Sequence, residues 1–405
     1  MGEASAGFHL NGKGEMTTPH LKDSISTFYI EITNACNLAC TFCPYPKMNR
    51  KKGVMTLNLF KKVVDEVAEK EISSWICLHL MGEPTLHPQF FEMVRYLNDK
   101  DLHVSLITNG SIPADQLARG FYGLKIAALN LSVNSFGEEQ YTLKGVKHMD
   151  YEQYVENQKK FIDIYTEHHP STPIHISYLL TKNKYMPFDA RLVDTDDEMR
   201  SVLRYWMDYA EKFNDRGDAF LRQARFVSKS EPLNEMKILT PEDLHQKLEC
   251  PTSELIFRIA PTLFVYFKSA GTWHNQLLDE GMTVEKRVRA TCRILETEFA
   301  VLWNGDTTFC CGDYEGKMQL GNVCEQSIEE ILRSEKVTRI REDNKKMILN
   351  QEVCQVCKGT VYEKDGHKID VDKVTLSERF KIAREYFERY GSNAFMRKVI
   401  SKLPV

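Results

Sequence analysis

A unit of strand, loop and helix recurs through the first half of the chain, and this repeat limits the possible folds more than any other feature. The predicted strands span residues 27–33, 75–81, 104–108, 127–133 and 174–180, and the predicted helices span 57–70, 89–100, 113–119 and 151–166. Strands that alternate with helices form a parallel sheet with right-handed crossovers. Active sites of such sheets lie at the carboxyl ends of the strands.

The repeat is interrupted after the fifth strand. Residues 184–258 are highly charged and mostly helical in pattern, and a sixth strand is predicted at 262–267. The intervening stretch is much longer than an ordinary crossover. We therefore expect a helical insertion, and insertions on α/β scaffolds often form lids or substrate walls.

The cysteine content and the short apolar runs exclude two classes of protein: a secreted disulfide scaffold and an integral membrane protein. The 405 residues include 11 cysteines, an odd number, and the net charge of −4 argues against a protein that coats nucleic acid. Residues 1–24 contain no apolar stretch typical of a secretory signal, and no apolar run approaches the ~20 residues that span a membrane. We expect a flexible leader at 1–24 and a cytoplasmic location, where clustered cysteines bind metal more often than they form disulfides.

The first group of cysteines, which we call the first cysteine set, lies in the loop after the first strand. It comprises Cys36, Cys40 and Cys43. Three thiolates on one loop can hold three corners of an iron–sulfur cluster, and the absence of a fourth ligand nearby leaves one metal open for chemistry. A zinc site, or a four-ligand ferredoxin-type cluster with a remote fourth cysteine, is the alternative.

A second cysteine set comprises Cys292, Cys310, Cys354 and Cys357. A hairpin over 299–309, with an Asn-Gly turn at Asn304, brings the first two to the same end. Four thiolates close a metal site, which is typical of structural or electron-transferring centres. Zinc ribbons use related spacings, so zinc is again the alternative. We expect this cysteine-rich domain over 288–374, followed by a closing amphipathic helix within 375–405.

The segment TNACNLACTFCP resembles the signature of radical S-adenosylmethionine (SAM) enzymes. The resemblance implies a [4Fe–4S] cluster on the first cysteine set, whose open iron binds SAM and yields a 5′-deoxyadenosyl radical. It implies an α/β fold, a partial (β/α)6 barrel of parallel strands over residues 25–287. This barrel would carry the helical insertion and a C-terminal cysteine-rich β-hairpin/helix extension.

Further motifs of this family follow in order. Met81-Gly82-Glu83-Pro84 is similar to the GGEP motif, Thr108-Asn109-Gly110 is similar to the TNG motif, and Ser132 ends the fourth predicted strand. The resemblance implies SAM contacts from six of these residues: Gly82, Glu83, Pro84, Thr108, Asn109 and Ser132. Simple turns are the alternative for the Gly-Glu-Pro and Asn-Gly pairs. Lys144 stands where relatives often carry arginine, and we interpret it as a solvated surface charge.

The second cysteine set resembles the SPASM extension of radical SAM enzymes. No cysteine follows Cys357, which matches the shortened, single-cluster (twitch) version seen in 2-deoxy-scyllo-inosamine dehydrogenase. The resemblance implies a second, auxiliary [4Fe–4S] cluster held by four cysteines. Among the remaining cysteines, Cys77 is predicted to pack in the core, and Cys250 and Cys324 have no partner motif. Cys311 is a candidate hydrogen donor to a substrate radical.

These features favour a radical SAM oxidoreductase that dehydrogenates or epimerises a small polar substrate. Sugars, aminocyclitols and nucleotide-linked sugars are the expected classes, with an electron donor such as flavodoxin or ferredoxin as partner. A peptide-modifying maturase is the alternative enzyme. A zinc-binding structural or nucleic-acid-interaction protein is the alternative of another class, with residues 47–52 as its basic face. Candidate substrate contacts near the sixth strand are Arg258, Trp273, His274 and Asn275.

Overall fold

The computed structural model describes residues 25–181, 190–213, 255–270 and 282–362, with 9–10, 16–17, 225–226, 273, 275, 277 and 368–369. Cys250, His274 and the predicted closing helix lie outside these residues. Within the predicted leader, His9–Leu10 and Met16–Thr17 form an antiparallel pair of short strands.

One sheet organises the described chain. Its strands and those of a smaller sheet are β1 (Thr27–Ile30), β2 (Trp75–Cys77), β3 (His103–Thr108), β4 (Ala128–Ser132), β5 (Ile174–Leu180), β6 (Arg225–Phe226), β7 (Leu255–Arg258), β8 (Leu263–Ser269), β9 (Thr283–Glu285), β10 (Glu298–Val301), β11 (Thr307–Thr308), β12 (Thr360–Tyr362) and β13 (Lys368–Ile369). The ten-stranded order is β11-β10-β1-β2-β3-β4-β5-β8-β7-β6, and β9-β12-β13 form the smaller sheet.

The strands from β10 to β8 in that order are parallel to their neighbours. The α/β class and the parallel sheet predicted from the sequence are therefore confirmed. The sixth predicted strand is β8, which lies parallel to β5 as expected, and β7 then adds antiparallel to it.

The helices of the described residues include the four predicted ones, each within two residues of its expected ends. They are α1 (Leu57–Glu69), α2 (Phe90–Asp99), α3 (Ala114–Gly120), α4 (Glu138–Thr142), α5 (Tyr151–His168), α6 (Asp196–Ala210), α7 (Ile294–Thr297), α8 (Ile328–Arg333), α9 (Glu335–Lys345) and α10 (Glu352–Cys357). Side-chain caps fix several starts: capping boxes begin α5 at Asp150, α6 at Thr195 and α8 at Ser327.

The core lies between the sheet and the helices on its outer face. Phe28, Ile76, Leu106, Leu129 and Ile176 are fully buried there with apolar residues of the helices. Because successive strand residues point to opposite faces, the alternate positions line the inner face of the barrel. Several of those positions are polar, and they matter for the site described below.

Part of the predicted insertion belongs to the barrel itself. The helix α6 packs into the main core, where Trp206 is fully buried and its indole nitrogen donates to the Tyr178 hydroxyl at 2.7 Å. This helix follows β5 and supplies the outer layer beside it. The remainder of 214–254 lies outside the described residues, apart from β6 at the sheet edge.

The sheet is continuous between the barrel and the cysteine-rich extension. The hairpin strand β10 pairs in parallel with β1, with Phe299 opposite Phe28 and Val301 opposite Ile30. The Phe28 and Phe299 rings lie 5.6 Å apart in the same core. The hairpin predicted from the Asn-Gly turn is therefore formed, and it becomes an edge of the main sheet.

Candidate functional site

The loop of the first cysteine set is tied to itself by backbone contacts. The Tyr45 hydroxyl accepts a hydrogen bond from the Cys36 amide and donates one to the Cys36 carbonyl, both at 3.0 Å. The Cys43 amide donates to the Cys40 carbonyl at 3.1 Å. These contacts hold three thiols together at the carboxyl end of β1.

The environment of these thiols keeps them protonated when no metal is bound. Burial raises the pKa of Cys36 to about 11 and that of Cys43 to about 12, and neighbouring thiols of the set add to both. Burial also raises the pKa of Cys40. Since thiolates are the ligands of iron and zinc, metal binding here must release protons.

The Gly-Glu-Pro turn packs directly on this loop. Gly82 has φ +84°, and a Cβ there would lie 2.6 Å from the Thr33 carbonyl oxygen and 2.8 Å from that of Ala35. The Glu83 amide donates to the Ala35 carbonyl at 2.8 Å. Only glycine fits the close approach at this left-handed position.

The Glu83 side chain is buried, with 2% exposure, and its carboxylate binds the turn that follows β3. It accepts from the Thr108 hydroxyl at 2.8 Å and from the Asn109 amide at 2.7 Å. The Thr85 hydroxyl donates to it at 2.6 Å. Burial raises the pKa of Glu83, and these hydrogen bonds oppose that rise.

The Asn109 side chain lies beside the cysteine loop. Its amide nitrogen donates to the Asn37 side-chain oxygen at 3.1 Å and lies 3.9 Å from the Cys36 sulfur. Pro84 is buried at the start of a short 3₁₀ helix. The structure thus brings the Gly-Glu-Pro and Thr-Asn-Gly turns together against the first cysteine set.

The interpretation of Lys144 as a solvated surface charge is wrong. The side chain is 1% exposed, and its ammonium donates to the carbonyls of Ser132 at 2.8 Å and Val133 at 2.9 Å and to the Tyr154 hydroxyl at 2.9 Å. Burial lowers the pKa of Lys144 to about 8, although Cys40 lies close enough to oppose the shift. The end of β4, including Ser132, is therefore linked to the cysteine loop.

The second cysteine set also gathers in space. A Cβ on Gly312 would lie 3.4 Å from the Cys310 sulfur and 3.8 Å from the Cys357 sulfur. Burial raises the pKa of Cys354 to about 12, with Cys292 and Cys357 adding to the rise. The two thiols that flank the hairpin and the two on α10 are therefore neighbours, as the spacing predicted.

The donor chemistry of both sets fits polynuclear clusters. Across the described ranges, no three cysteine, histidine or carboxylate side chains converge closely enough to hold a single metal ion. Sets of three and four neighbouring thiols match in number the cysteine ligands of iron–sulfur clusters. The three-thiol set leaves one corner of such a cluster without a nearby cysteine.

Two further cysteines lie toward the barrel interior. Cys77 is buried, as predicted, and its sulfur lies 3.2 Å from Nδ1 of His79. Burial raises the pKa of Cys77 to about 12, and the nearby Cys311 adds to the rise. Cys311 itself is exposed at the start of a short 3₁₀ helix.

The predicted substrate contacts that the structure describes are engaged with backbone carbonyls. Trp273 donates to the Phe42 carbonyl at 3.2 Å, and Asn275 donates to the carbonyls of Gly312 at 3.2 Å and Val353 at 3.4 Å. Arg258 donates to the Ala260 carbonyl at 3.2 Å. Trp273 and Asn275 therefore connect the loops that carry the two cysteine sets.

Two cations of the predicted basic face over 47–52 make contacts within the protein. Arg50 forms a two-pronged ion pair with the buried Glu31, at 2.6 and 2.7 Å. The Lys52 ammonium lies 3.7 Å from the centre of the Tyr45 ring. Two cations of the run thus stabilise the cysteine loop.

Sequence reasoning missed a group of polar residues on the inner face of the barrel: His79, Asn130, His175 and Ser177. Polar residues alternate along β4 as Asn130-x-Ser132 and along β5 as His175-x-Ser177, and His79 follows β2 two residues after Cys77. This alternation was the available signal, because a polar residue at every second position marks one face of a strand. We call these four residues the barrel-floor group.

The comparisons with known families define the class of the chain. Residues 30–178 match the radical SAM superfamily, and residues 292–358 match the SPASM iron–sulfur cluster-binding domain. The chain therefore contains a radical SAM domain and a SPASM domain, as the motifs indicated. Its cofactors are accordingly SAM, the [4Fe–4S] cluster of the radical SAM domain and an auxiliary cluster in the SPASM domain.

Among individual proteins, the chain is 25% identical over 329 residues to the tungsten-containing aldehyde ferredoxin oxidoreductase cofactor-modifying protein of Pyrococcus furiosus, covering 77% of this chain and 82% of that protein. It is 33% identical to the mycofactocin maturase MftC of Mycobacterium tuberculosis, over 20% of each chain. The crystal structure of BtrN with AdoMet and 2-DOIA aligns with a TM-score of 0.41 at 14% identity, covering 80% of this chain and 88% of that one. In the described part of the chain, no helix is long and apolar enough to cross a bilayer.

Proposed function

We propose that the chain is a radical SAM oxidoreductase that dehydrogenates or epimerises a small polar molecule. In this proposal Cys36, Cys40 and Cys43 hold the SAM-binding cluster. The second cysteine set, defined above, holds the auxiliary cluster. The packing of the Gly82–Glu83 turn and the Thr108–Asn109 turn against the first cysteine set carries the proposal.

The residues around the first set have separate roles. Glu83 presents a buried carboxylate that suits the SAM amino group, because a charge-assisted hydrogen bond is strong where water is excluded. The Thr108 hydroxyl and the Asn109 amide orient that carboxylate. Gly82 allows the close backbone approach, Pro84 fixes the turn, and Ser132 lies at the end of β4 on the same side.

When bound, SAM and the cluster of the first cysteine set would supply a 5′-deoxyadenosyl radical that removes a hydrogen atom from the substrate. The cluster of the second cysteine set would supply a second redox centre. The protein must then position one C–H bond and exclude water. A dehydrogenation removes a hydrogen atom, a proton and an electron from an alcohol carbon. A second redox centre held by four thiols suits this overall two-electron oxidation, and a flavodoxin or ferredoxin would supply the reducing electron for SAM cleavage.

Peptide modification is the second candidate function. The similarity to the mycofactocin maturase favours it, although that similarity covers 20% of either chain. A peptide substrate would have to enter the same barrel end. The exposed Cys311 would be a hydrogen donor in an epimerisation of either substrate class. The thiol hydrogen would pass to the carbon radical, and the resulting thiyl would be reduced by one electron from the electron donor and one proton from solvent.

Anaerobic reconstitution tests the proposal. Iron and sulfide are counted, and 5′-deoxyadenosine release is followed with sugars, aminocyclitols and short peptides. We expect about eight irons per chain, since two four-iron clusters require that number, and release that depends on a sugar or aminocyclitol. About four irons would contradict the auxiliary cluster on its four thiols. Absence of iron would overturn the whole assignment, and release with peptides alone would favour the second function.

A further inference from the structure

The inner face of the barrel carries a second feature beyond the cysteine sets. We propose that the barrel-floor group (His79, Asn130, His175 and Ser177) binds an uncharged, hydroxyl-bearing ring of the substrate. The inference rests on the proposed function, because it assigns the substrate class of the same site. It narrows that class to molecules whose reacting portion carries no phosphate or carboxylate.

The strand register places these side chains together. Asn130 of β4 lies opposite His175 of β5, and Ser132 lies opposite Ser177 in the same pair of strands. Residues at even spacing on neighbouring strands share a face. His79 follows β2 two positions after Cys77, and its ring meets Tyr29 of β1 edge-on at 6.2 Å. The four side chains therefore line one inner surface.

Two polar atoms of this surface lack hydrogen-bond partners among the described residues. They are Oδ1 of Asn130 and Oγ of Ser177, both of which are inaccessible to solvent, and Ser177 as a whole is 1% exposed. A buried polar atom without a partner costs free energy, so native proteins keep such atoms where a ligand or water completes them. The Asn130 oxygen accepts a hydrogen bond, and the Ser177 hydroxyl both donates and accepts, so a ligand hydroxyl, which also does both, suits the pair.

The two imidazoles of the surface are neutral. Burial lowers the pKa of His79 and His175 to about 4, and Lys268 adds to the shift of each. A neutral imidazole offers one N–H donor and one acceptor and no charge. It suits a hydroxyl, which both donates and accepts, better than a phosphate or a carboxylate.

Cys77 fixes the orientation of His79. Its thiol stays protonated at neutral pH because burial raises the pKa of Cys77 to about 12. The Cys77 sulfur lies 3.2 Å from Nδ1 of His79, so a hydrogen bond between the thiol and this ring nitrogen holds the imidazole in place. The aromatic ring of Phe264 stacks on His175 at 5.1 Å and gives the surface an apolar border. A few convergent polar groups with an apolar border are typical of small-molecule sites.

One positive charge lies near this surface. The Lys268 ammonium on β8 lies 4.8 Å from the centre of the Tyr266 ring. If that ammonium recognised the substrate, phosphorylated or acidic molecules would bind better than neutral ones. The experiment therefore compares neutral rings with their charged counterparts.

The test uses the reconstituted holoenzyme with SAM under anaerobic conditions. The probes are myo-inositol and glucose, their counterparts myo-inositol 1-phosphate and glucose 6-phosphate, and a short peptide, each followed by the shift in melting temperature and by calorimetry. We expect a neutral probe to raise the melting temperature and to bind at least tenfold more tightly than its phosphate. Failure of both neutral probes to bind, or tighter binding of a charged probe or of the peptide, would overturn the inference.

Variants separate ligand binding from structure. We expect Asn130→Leu and Ser177→Ala to weaken binding of the neutral probe at least tenfold and to leave the melting temperature of the ligand-free protein unchanged or higher, since each removes an unpaired polar atom. The control Ser73→Ala removes a buried hydroxyl that does donate, to the Trp75 carbonyl at 3.1 Å. It should lower the melting temperature and leave probe binding intact.

Lower melting temperatures for Asn130→Leu and Ser177→Ala without a change in probe binding would show a structural role and contradict the inference. Iron content and 5′-deoxyadenosine formation are measured on the same samples. Iron-free protein would overturn the proposed function, whereas a protein with both clusters and no affinity for neutral rings would overturn only the assignment of the barrel-floor group.

Discussion

Lys144 shows how a single buried charge can connect a strand end to a metal-binding loop. Its ammonium is the donor for the carbonyls of Ser132 and Val133. We expect Lys144→Met to lower the free energy of unfolding by about 2–4 kcal/mol, because two buried carbonyls would lose their donor. Urea denaturation under anaerobic conditions measures this change.

The matched control is Lys147→Met, since Lys147 is exposed three residues further on. Its stability should change by less than about 0.5 kcal/mol, as for most surface positions. Equal stability of the two variants would show that the Lys144 contacts contribute nothing.

Glu83 is the second residue for which we make a prediction. Glu83→Gln keeps the shape of the side chain and removes its negative charge, so we expect the affinity for SAM to fall at least tenfold while iron content stays the same. Equilibrium SAM binding to the reconstituted protein is the measurement. Glu92→Gln on the exposed side of α2 is the control, and the proposed role fails if both variants bind SAM equally.

Individual site residues could be predicted from the sequence where their arrangement depends on spacing within one short segment. The seven cysteines of the two sets, together with Glu83, Thr108 and Asn109, were found from motifs because the loops that carry them are short. Lys144 was misjudged because its burial depends on Tyr154 and on the end of β4, which are brought to it by the tertiary fold. The barrel-floor group was missed for a different reason: alternation alone does not say which face of a strand is the inner one.

Among the elements, the loop after Cys43 depends on the extension that carries the second cysteine set. The Glu315 carboxylate accepts from the backbone amides of Asn49 at 2.8 Å and Arg50 at 2.9 Å. The Arg50 side chain donates in turn to the Tyr314 carbonyl at 3.0 Å. One carboxylate thus holds two successive amides of the loop.

We expect Glu315→Ala to increase hydrogen exchange at the amides of Asn49 and Arg50 at least tenfold, because both lose their acceptor. Exchange measured by mass spectrometry over 46–52 tests this. Glu325→Ala removes an exposed carboxylate from the same extension and should leave the exchange unchanged. Equal exchange in the two variants would mean that the loop is ordered without the Glu315 contacts.

The helices and strands were predicted best where residues close in the sequence determine their ends. The helix α5 begins at its predicted start, Tyr151, where the Asp150 capping box fixes the first turn. The pairing of β10 with β1 was not predicted, since a strand's neighbour in a parallel sheet depends on distant residues. The strand β2 ends at Cys77, earlier than predicted, because the chain leaves the ladder before the Gly-Glu-Pro turn.

On the scale of the whole molecule, the continuous sheet predicts that the barrel and the extension unfold together. Trp206 reports on the barrel core, and Trp303 reports on the hairpin, where its indole donates to the Lys51 carbonyl at 3.2 Å. We expect the fluorescence transitions of Trp206→Phe and Trp303→Phe to superimpose on the far-ultraviolet transition of each variant in urea. Two separate transitions would show that the extension unfolds on its own.

The pairing of β10 with β1 also has a consequence for synthesis on the ribosome. The first strand leads straight to Cys36, yet one of its edges stays bare until Val301 has emerged, because the partners Phe28 and Phe299 come from opposite halves of the chain. A bare edge is a site for unwanted pairing with other chains. The nascent protein therefore carries its whole three-cysteine motif long before the sheet around it is complete.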